Sequence, residues 1–299
     1  MLVSVIIPSY NHQHYVSQAI TSVLDQTWPE IDLIVIDDAS SDNSAGVISK
    51  IFDERGGFRF IHREKNIGLI SSLNQGLKMA KGKYFCELAS DDFLPPDSIE
   101  KRIRFFTANH NNVAIYADAV LVKNNMLTDS LLLDDKRRCL FRQPDPIPSL
   151  LKGVLPIFST GMFRTEIIKE IGGFDPIYQC YEDLEMPILL CLVGKVGHMD
   201  QPVLCRREHA FNTSSITATI RTDKIHCYEK LLRNPDLAPY ASLIRYQLRR
   251  SYLALGRHLC SNRGASDYER RLFQNAWPYA LKDIRLLWHL LKWGRKQNR

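Results

Sequence analysis

Leu88-Ala89-Ser90-Asp91-Asp92-Phe93 places two adjacent carboxylates directly after a strand-like apolar segment. A second acidic pair, Asp37-Asp38, follows another such segment, Ile31 to Ile36. Carboxylates at the carboxyl ends of neighbouring parallel strands face the crevice in which open α/β sheets bind their ligands. They also offer the hard oxygen donors that divalent cations prefer. The two pairs therefore predict an α/β sheet that carries a metal-assisted nucleotide site.

The first half of the chain alternates short apolar segments with amphipathic ones. The predicted strands are Leu2 to Ile7, Ile31 to Ile36, Phe58 to His62, Tyr84 to Leu88 and Val113 to Ala117. The predicted helices are His14 to Gln26, Ser44 to Asp53, Ile70 to Met79 and Pro96 to Thr107. This alternation is typical of right-handed βαβ units and predicts a Rossmann-like, mostly parallel sheet.

The alternation stops after Asp118. Residues from Met126 to Asp145 mix apolar and charged types, and the run Gln143-Pro144-Asp145-Pro146-Ile147-Pro148 interrupts any regular element. We expect this stretch to be a connection that passes over the active face. From about Arg221 the pattern is helical.

Composition limits the class of protein. The chain has 299 residues, of which 45% are hydrophobic, enough for one large domain or for one domain and an appendage. Its first residues, Met1 to Pro8, lack the features of a signal peptide, which predicts a cytoplasmic protein. Seven cysteines without a Cys-x-x-Cys pair argue against a disulfide framework and against a zinc site.

Charge is distributed unevenly along the chain. Residues 221–299 carry 17 Lys and Arg against 6 Asp and Glu, a net charge of +11. Subtraction from the totals of 39 and 33 leaves 22 against 27 for residues 1–220, a net charge of −5. The basic part also contains Trp277, Trp288 and Trp293, and tryptophans beside cations are typical of helices on an anionic membrane surface. The alternative is a helix that packs these rings against the protein.

Six short motifs occur in the order and approximate spacing of family 2 glycosyltransferases with the GT-A fold, which the sequence resembles. The motifs are Val5-Ile6-Ile7-Pro8-Ser9-Tyr10-Asn11, Asp37-Asp38-Ala39-Ser40-Ser41-Asp42, Asn66-Ile67-Gly68-Leu69, Ser90-Asp91-Asp92, Gly172-Gly173-Phe174-Asp175 and Glu182-Asp183. The resemblance is to enzymes of bacterial surface-polysaccharide assembly. It implies a catalytic domain over residues 1–220, divided into a nucleotide-binding half at 1–118 and an acceptor-binding half at 119–220, and a helical basic extension at 221–299.

The resemblance assigns five residues to the nucleotide. It implies that Pro8, Ser9, Tyr10 and Asp38 recognise the base and ribose, and that Asn66 lies in a loop near them. A tyrosine ring can stack on a base, and a carboxylate can accept a hydrogen bond from a ring N–H. The alternative for the acidic pair is that it caps the following helix.

The resemblance assigns the pair Asp91-Asp92 to the metal and the donor. It implies that Asp92 ligates Mg²⁺ or Mn²⁺ and that Asp91 contacts the donor sugar or ribose. Many relatives have a further aspartate where this chain has Ala89, so any role of that acid is lost. The alternative is a surface turn before a helix that starts near Pro95-Pro96.

The same resemblance selects Asp183 of the pair Glu182-Asp183 as the base that deprotonates the acceptor hydroxyl. Pro187 departs from the family pattern, and because proline restricts the residue before it, we expect Asp183 to lie in a loop. The alternative is that both acids only complement the amino terminus of a helix.

These roles imply an inverting, metal-dependent glycosyltransferase. Its partners would be a nucleotide-sugar donor, with UDP our prediction for the nucleotide, and a saccharide acceptor. An acceptor on polyprenyl diphosphate fits a cytoplasmic enzyme whose basic tail contacts the inner face of the cell membrane.

One alternative is a sugar-phosphate nucleotidylyltransferase, although the turn after the first strand lacks the glycines that bind triphosphate. Another is a nucleic-acid-binding protein, but the tail contains no recognised reader motif, and we predict no nucleic-acid partner.

Overall fold

The computed structural model describes residues 1–124, 126–179, 182–209, 217–261, 267–280 and 283–297. The chain divides into two compact units. The first, here called the catalytic unit, comprises Met1–Pro176 and Glu182–Asn212. The second, the helical unit, comprises Ile177–Tyr181 and Thr213–Arg299.

The catalytic unit contains one mixed sheet. Its strands are β1 (Val3–Ser9), β2 (Ile31–Asp37), β3 (Phe58–His62), β4 (Tyr84–Glu87), β5 (Asn112–Lys123), β6 (Met126–Leu131), β7 (Met162–Arg164) and β8 (Lys195–Glu208). Strands β3, β2, β1 and β4 are adjacent and parallel, as predicted. Every residue of β1 is buried, which is typical of a central parallel strand covered by helices on both faces.

Eight helices belong to the described part of the catalytic unit. They are α1 (Val16–Leu24), α2 (Ser44–Arg55), α3 (Leu69–Met79), α4 (Ser98–Ala108), α5 (Asp135–Arg138), α6 (Ile147–Leu151), α7 (Thr165–Glu170) and α8 (Glu182–Val193). Helix α1 shows why they form, since its buried residues recur at helical spacing: Val16, Ala19, Ile20 and Val23. This apolar face packs into the main core beneath β1 and β2.

Strand pairing extends the sheet beyond the prediction. Strand β5 continues six residues past the predicted end at Ala117, because β8 pairs parallel to it from Asn112↔Lys195 to Lys123↔Glu208. The prediction that Met126 to Asp145 is a connection is wrong for residues 126–131, which form β6 antiparallel to β5, and for residues 135–138, which form α5. Both strand differences depend on pairing between distant segments, which local periodicity does not reveal.

The helical unit confirms the predicted helical pattern of the basic region. Its described helices are α9 (Thr217–Arg233), α10 (Ala241–Ser261), α11 (Asp267–Gln274), α12 (Trp277–Ala280) and α13 (Ile284–Gln297). Trp288 is 53% exposed, but Trp293 is buried against Phe273, with ring centroids 5.9 Å apart. The prediction of tryptophans on a membrane-facing surface is therefore wrong for Trp293. None of the described helices is long and apolar enough to span a bilayer.

Candidate active site

The turn after β1 returns the chain to the end of β2. Ser9 is buried, and its hydroxyl has no hydrogen-bond partner in the described part of the chain. Pro8 is buried, whereas the next aromatic residue, Tyr10, is 47% exposed. Asn11, at φ 56°, accepts a 2.8 Å hydrogen bond from the Ser41 amide and so ties the turn to the segment after β2. The turn offers an unsatisfied hydroxyl and an accessible ring at the predicted nucleoside site.

Asp37 shapes the backbone after β2. It is fully buried and accepts hydrogen bonds from Ser40 Oγ at 2.6 Å and from His62 Nδ1 at 3.1 Å. The capping alternative is not observed for the acidic pair, because Asp42 accepts the 2.9 Å hydrogen bond from the Ser44 amide at the start of α2. Asp37 therefore holds the turn itself.

Asp38 fixes the loop that contains Asn66. Its carboxylate accepts hydrogen bonds from Arg63 Nη1 at 2.8 Å, from the Ile67 amide at 3.0 Å and from the Gly68 amide at 2.7 Å. Asn66 itself is exposed. A carboxylate has about four acceptor sites, so these bonds use most of them. Direct base recognition by Asp38 stays a prediction, and its observed contacts hold the Asn66 loop at the end of β2.

The turn that contains Asp91 and Asp92 is hydrogen-bonded to β8. Phe93 and Cys205 exchange backbone hydrogen bonds of 3.2 and 2.8 Å. Arg207, two residues farther along β8, donates its amide N–H to Asp92 Oδ1 at 2.8 Å and its guanidinium to the carbonyl of Asp91 at 2.5 Å. The orientation of both aspartates is therefore set by a strand more than a hundred residues away in sequence.

Two histidines lie beside Asp91. The Asp91 Oδ2 atom is 2.9 Å from His209 Nε2, and the His209 ring stacks on Tyr15 with centroids 4.9 Å apart. His12 Nδ1 is 2.8 Å from Ser90 Oγ. One ligand atom from each of His12, Asp91 and His209 lies within 4.8 Å of the others. Burial lowers the pKa of His12, which favours the neutral imidazole that a metal requires.

Asp92 is a buried acid with few donors in contact. Burial first, and then the charge of Asp91, raises the pKa of Asp92 well above its usual value, while Arg206 lowers it. A cation placed at this turn would favour the ionised form, because an opposite charge offsets both causes of the shift. The electrostatics of the turn therefore suit a bound divalent ion.

Asp183 lies in the first turn of α8. The expectation of a loop was wrong, because Pro187 lies inside the helix and removes only its own N–H, which would otherwise reach the Asp183 carbonyl. Burial raises the pKa of the Asp183 carboxyl to about 6, and Arg206 lowers it. The side chain of Glu182 is outside the described set. A carboxylate of raised pKa is a stronger base, which suits the predicted role of Asp183.

Two further buried groups lie near Asp183 and were missed from the sequence. Glu87, at the end of β4, accepts a 2.6 Å hydrogen bond from Ser159 Oγ, and burial raises its pKa to about 7. The charges of Asp183 and Asp91 contribute to that shift. The hydroxyl of Tyr116, on β5, is buried without a partner in the described residues. An acid in an otherwise apolar strand was an available signal for Glu87, whereas Tyr116 has no comparable signal.

The family model for glycosyl transferase family 2 matches residues 4–170. An uncharacterised glycosyltransferase of Haemophilus influenzae is 34% identical over 222 residues, which cover 72% of this chain and 68% of that protein. Chondroitin synthase of Pasteurella multocida is 28% identical over 213 residues, which cover 71% of this chain and 21% of the synthase. This chain therefore spans about a fifth of the length of that relative.

Solved structures show the same fold. TarS residues 1–349 of S. aureus superimpose with a TM-score of 0.66 at 17% identity, covering 98% of this chain and 88% of that one. The mannosyltransferase PcManGT of Pyrobaculum calidifontis, solved with GDP-Man and Mn²⁺, superimposes with a TM-score of 0.62 at 15% identity. The match covers 97% of this chain and 83% of that one. The predicted GT-A architecture is thereby confirmed. Because the family model spans more than half of the sequence and the fold agrees with it, the chain is an enzyme that belongs to glycosyl transferase family 2.

Proposed function

We propose that the enzyme transfers one sugar from a UDP-linked donor to a hydroxyl of a saccharide acceptor, with inversion at the anomeric carbon. One observation carries this proposal. Glu87 interacts electrostatically with both Asp91 and Asp183, and Arg206 interacts with both Asp92 and Asp183. The acids predicted for the metal and the acid predicted as the base therefore lie near one another, as a single displacement requires.

The turn after β1 supports a nucleoside site. The buried Ser9 hydroxyl has no partner in the described chain and can bond a ligand, while the exposed Tyr10 ring can stack on a base. Pro8, the next-to-last residue of β1, restricts the backbone that leads into Ser9 and Tyr10. We propose that Asp38 acts here in two ways: it positions Asn66, and it accepts a hydrogen bond from a ring N–H of the base. TarS has been solved with UDP-GlcNAc, and the choice of UDP for this chain follows that neighbour.

The residues around Ser90 fit a divalent cation, Mg²⁺ or Mn²⁺. Asp92 is the predicted ligand, and Asp91, His12 and His209 supply further donor atoms. Carboxylate and imidazole together suit Mn²⁺ better than Mg²⁺, which prefers oxygen ligands. Such an ion, when bound, acts as a Lewis acid on the phosphate oxygens of the departing nucleotide.

Asp92→Ala should abolish the Mn²⁺-dependent part of UDP binding and leave the fold intact, because the side chain supplies coordination rather than apolar packing. Calorimetry with UDP, with and without Mn²⁺, measures this. Asp97→Ala is the matched control, since its half-exposed carboxylate pairs with Lys101 on α4. Unchanged metal-dependent affinity in the Asp92 variant would assign the ion to other ligands.

Asp183 is the proposed general base. Its raised pKa means that the ionised form is lost as the pH falls through about 6, so the transfer rate should fall below that pH. Burial makes the ionised carboxylate a stronger base than a solvated one, and its place at the start of α8 holds it in a fixed direction. Proton transfer then accompanies bond formation to the sugar.

Asp183→Asn tests the function as a whole. The substitution keeps the shape of the side chain and removes its basicity, so transfer should fall by about 10² or more. UDP binding should stay near the wild-type value, and calorimetry checks this. Glu182→Gln, next to it in sequence, should transfer at close to the wild-type rate. Transfer by Asp183→Asn at the wild-type rate would remove Asp183 as the base.

The acceptor is proposed to be a saccharide. Two of the relatives are named chondroitin synthase and hyaluronan synthase, which supports a saccharide over other hydroxyl compounds. We also propose that it is carried on polyprenyl diphosphate and that the basic helical unit contacts the inner face of the cell membrane. Family membership argues against the nucleotidylyltransferase alternative.

A further inference from the structure

The helical unit contains a basic pocket. Ser242, Arg245 and Arg249 follow one another at spacings of three and four residues, so they share one face of α10. Pro278 and Tyr279 of α12 complete the lining. The enclosed volume is about 350 Å³. Burial and then the charge of Glu229 raise the pKa of the Tyr279 hydroxyl, while Arg233 and Arg245 lower it.

The pocket arginines differ in ion pairing from other arginines of the helical unit. Arg270 lies 3.4 Å from Asp267, and Arg285 lies 3.0 Å from Asp283, within the same unit. Neither Arg245 nor Arg249 makes a salt bridge to any described residue. Two guanidinium groups on successive helical turns, with hydroxyls beside them, match the planar donors that phosphate oxygens accept. The pocket is therefore suited to a phosphate group.

An apolar stripe lies on α13. Ile284, Trp288 and Leu291 recur at spacings of four and three residues and are 82%, 53% and 51% exposed. The opposite face is buried and consists of Leu286, Leu290 and Trp293. Lys292 Nζ lies 4.6 Å from the Trp288 ring centroid. Apolar side chains beside a tryptophan and cations are the composition of a helix that lies in the headgroup region of a bilayer.

Tyr246, on α10, interacts with a cation of its own helix and with a cation of α13. This residue follows Arg245, is 49% exposed, and lies under the Arg250 guanidinium at 5.8 Å from the ring centroid. Arg285, on the flank of the stripe, interacts electrostatically with the Tyr246 hydroxyl. Exposed apolar groups and cations of α10 and α13 therefore lie near one another in the helical unit.

We propose that Arg245 and Arg249 bind the phosphate of an anionic lipid at a membrane surface while Ile284, Trp288 and Leu291 enter the interface. The inference deepens the membrane contact proposed above and rests on it, because it names the binding site and the lipid chemistry. A phosphate monoester headgroup fits best, since it exposes three oxygens to the two guanidinium groups.

Co-sedimentation of the full chain with phosphatidylcholine vesicles that contain phosphatidic acid tests the proposal. Arg245→Gln with Arg249→Gln should weaken partitioning about 30-fold, the effect of two cations at an anionic surface. Arg270→Gln with Arg271→Gln removes the same charge from α11 and should weaken it far less. Trp288→Ser should reduce partitioning to every vesicle. Circular dichroism and UDP binding check that each variant is folded. Sugar transfer is assayed apart from vesicle binding, so a failure of the proposed function is distinguished from a failure of the membrane proposal.

Three results would overturn the proposal. Equal losses in the two arginine pairs would mean that diffuse charge, not the pocket, attracts the vesicle. Wild-type partitioning by Trp288→Ser would remove the stripe from the interface. The third result combines two observations: inorganic phosphate stabilises the wild type thermally but not the Arg245 and Arg249 variant, and the wild type does not bind vesicles. That result would assign the pocket to a soluble phosphate compound.

Discussion

The same dipeptide, Asp-Asp, occurs at the end of β2 and in the turn after β4, yet the two copies have different surroundings. After β2, Asp38 accepts hydrogen bonds from Arg63 and from two loop amides, and Asp37 is bonded in its own turn. After β4, Asp92 accepts a hydrogen bond from one amide among the described residues, and burial raises its pKa well above the usual value. The number of donors in contact, rather than the residue type, separates an acid that builds a loop from one suited to a cation.

The largest expected effect comes from the same substitution made in both pairs. Asp38→Asn should destabilise the protein by about 3 to 5 kcal/mol, because it leaves the charge of Arg63, a mostly buried side chain, without its partner. Asp92→Asn should leave stability at pH 7 equal to the wild type or higher, because it removes a buried charge and retains an acceptor for Arg207. Urea unfolding of both variants measures the difference. A similar loss in the free energy of unfolding of both variants would contradict the distinction between the two acidic pairs.

A smaller effect is expected at Glu87. Its folded-state pKa of about 7 exceeds the ordinary value of 4.5, so the stability that protonation contributes is full below pH 4.5 and is lost as the pH rises through 7. Glu87→Gln mimics the protonated form and should be more stable than the wild type at pH 8 by about 3 kcal/mol, but not at pH 4.5. Denaturant melts at both pH values test this. The exposed Glu170→Gln should show no such pH-dependent gain.

The smallest effect concerns His12. If the donors beside Asp91 hold the ion together, His12→Ala should weaken Mn²⁺ binding about tenfold, a typical loss for a perturbed metal site. Paramagnetic resonance of free and bound Mn²⁺, without donor, gives the affinity directly. His14→Ala, which removes an exposed imidazole two residues away, is the control. Equal affinity in the two variants would restrict the site to the carboxylates.

The sequence predicted the elements of the first half because each strand there is covered by its neighbouring helices, so local periodicity carries the information. Phe58–His62 occurs with the predicted bounds, and α3 differs by one residue. The contacts of Asp91 and Asp92 were not predictable in the same way, since β8 determines them from afar. The residue type and sequence position of Arg207 do not indicate its contacts with Asp91 and Asp92, and only its pairing beside β5 reveals them.

The hydrogen bond from the Arg207 amide to Asp92 joins residues 115 positions apart, which has a consequence for folding. Contacts of such separation form late, because a long loop must close before they contribute. A ribosome that adds about 5 to 20 residues per second delivers Arg207 roughly 6 to 23 s after Asp92. During synthesis the turn after β1 can therefore be complete while the Asp91-Asp92 turn still lacks the strand that orients it, so the turn after β1 forms before the turn after β4.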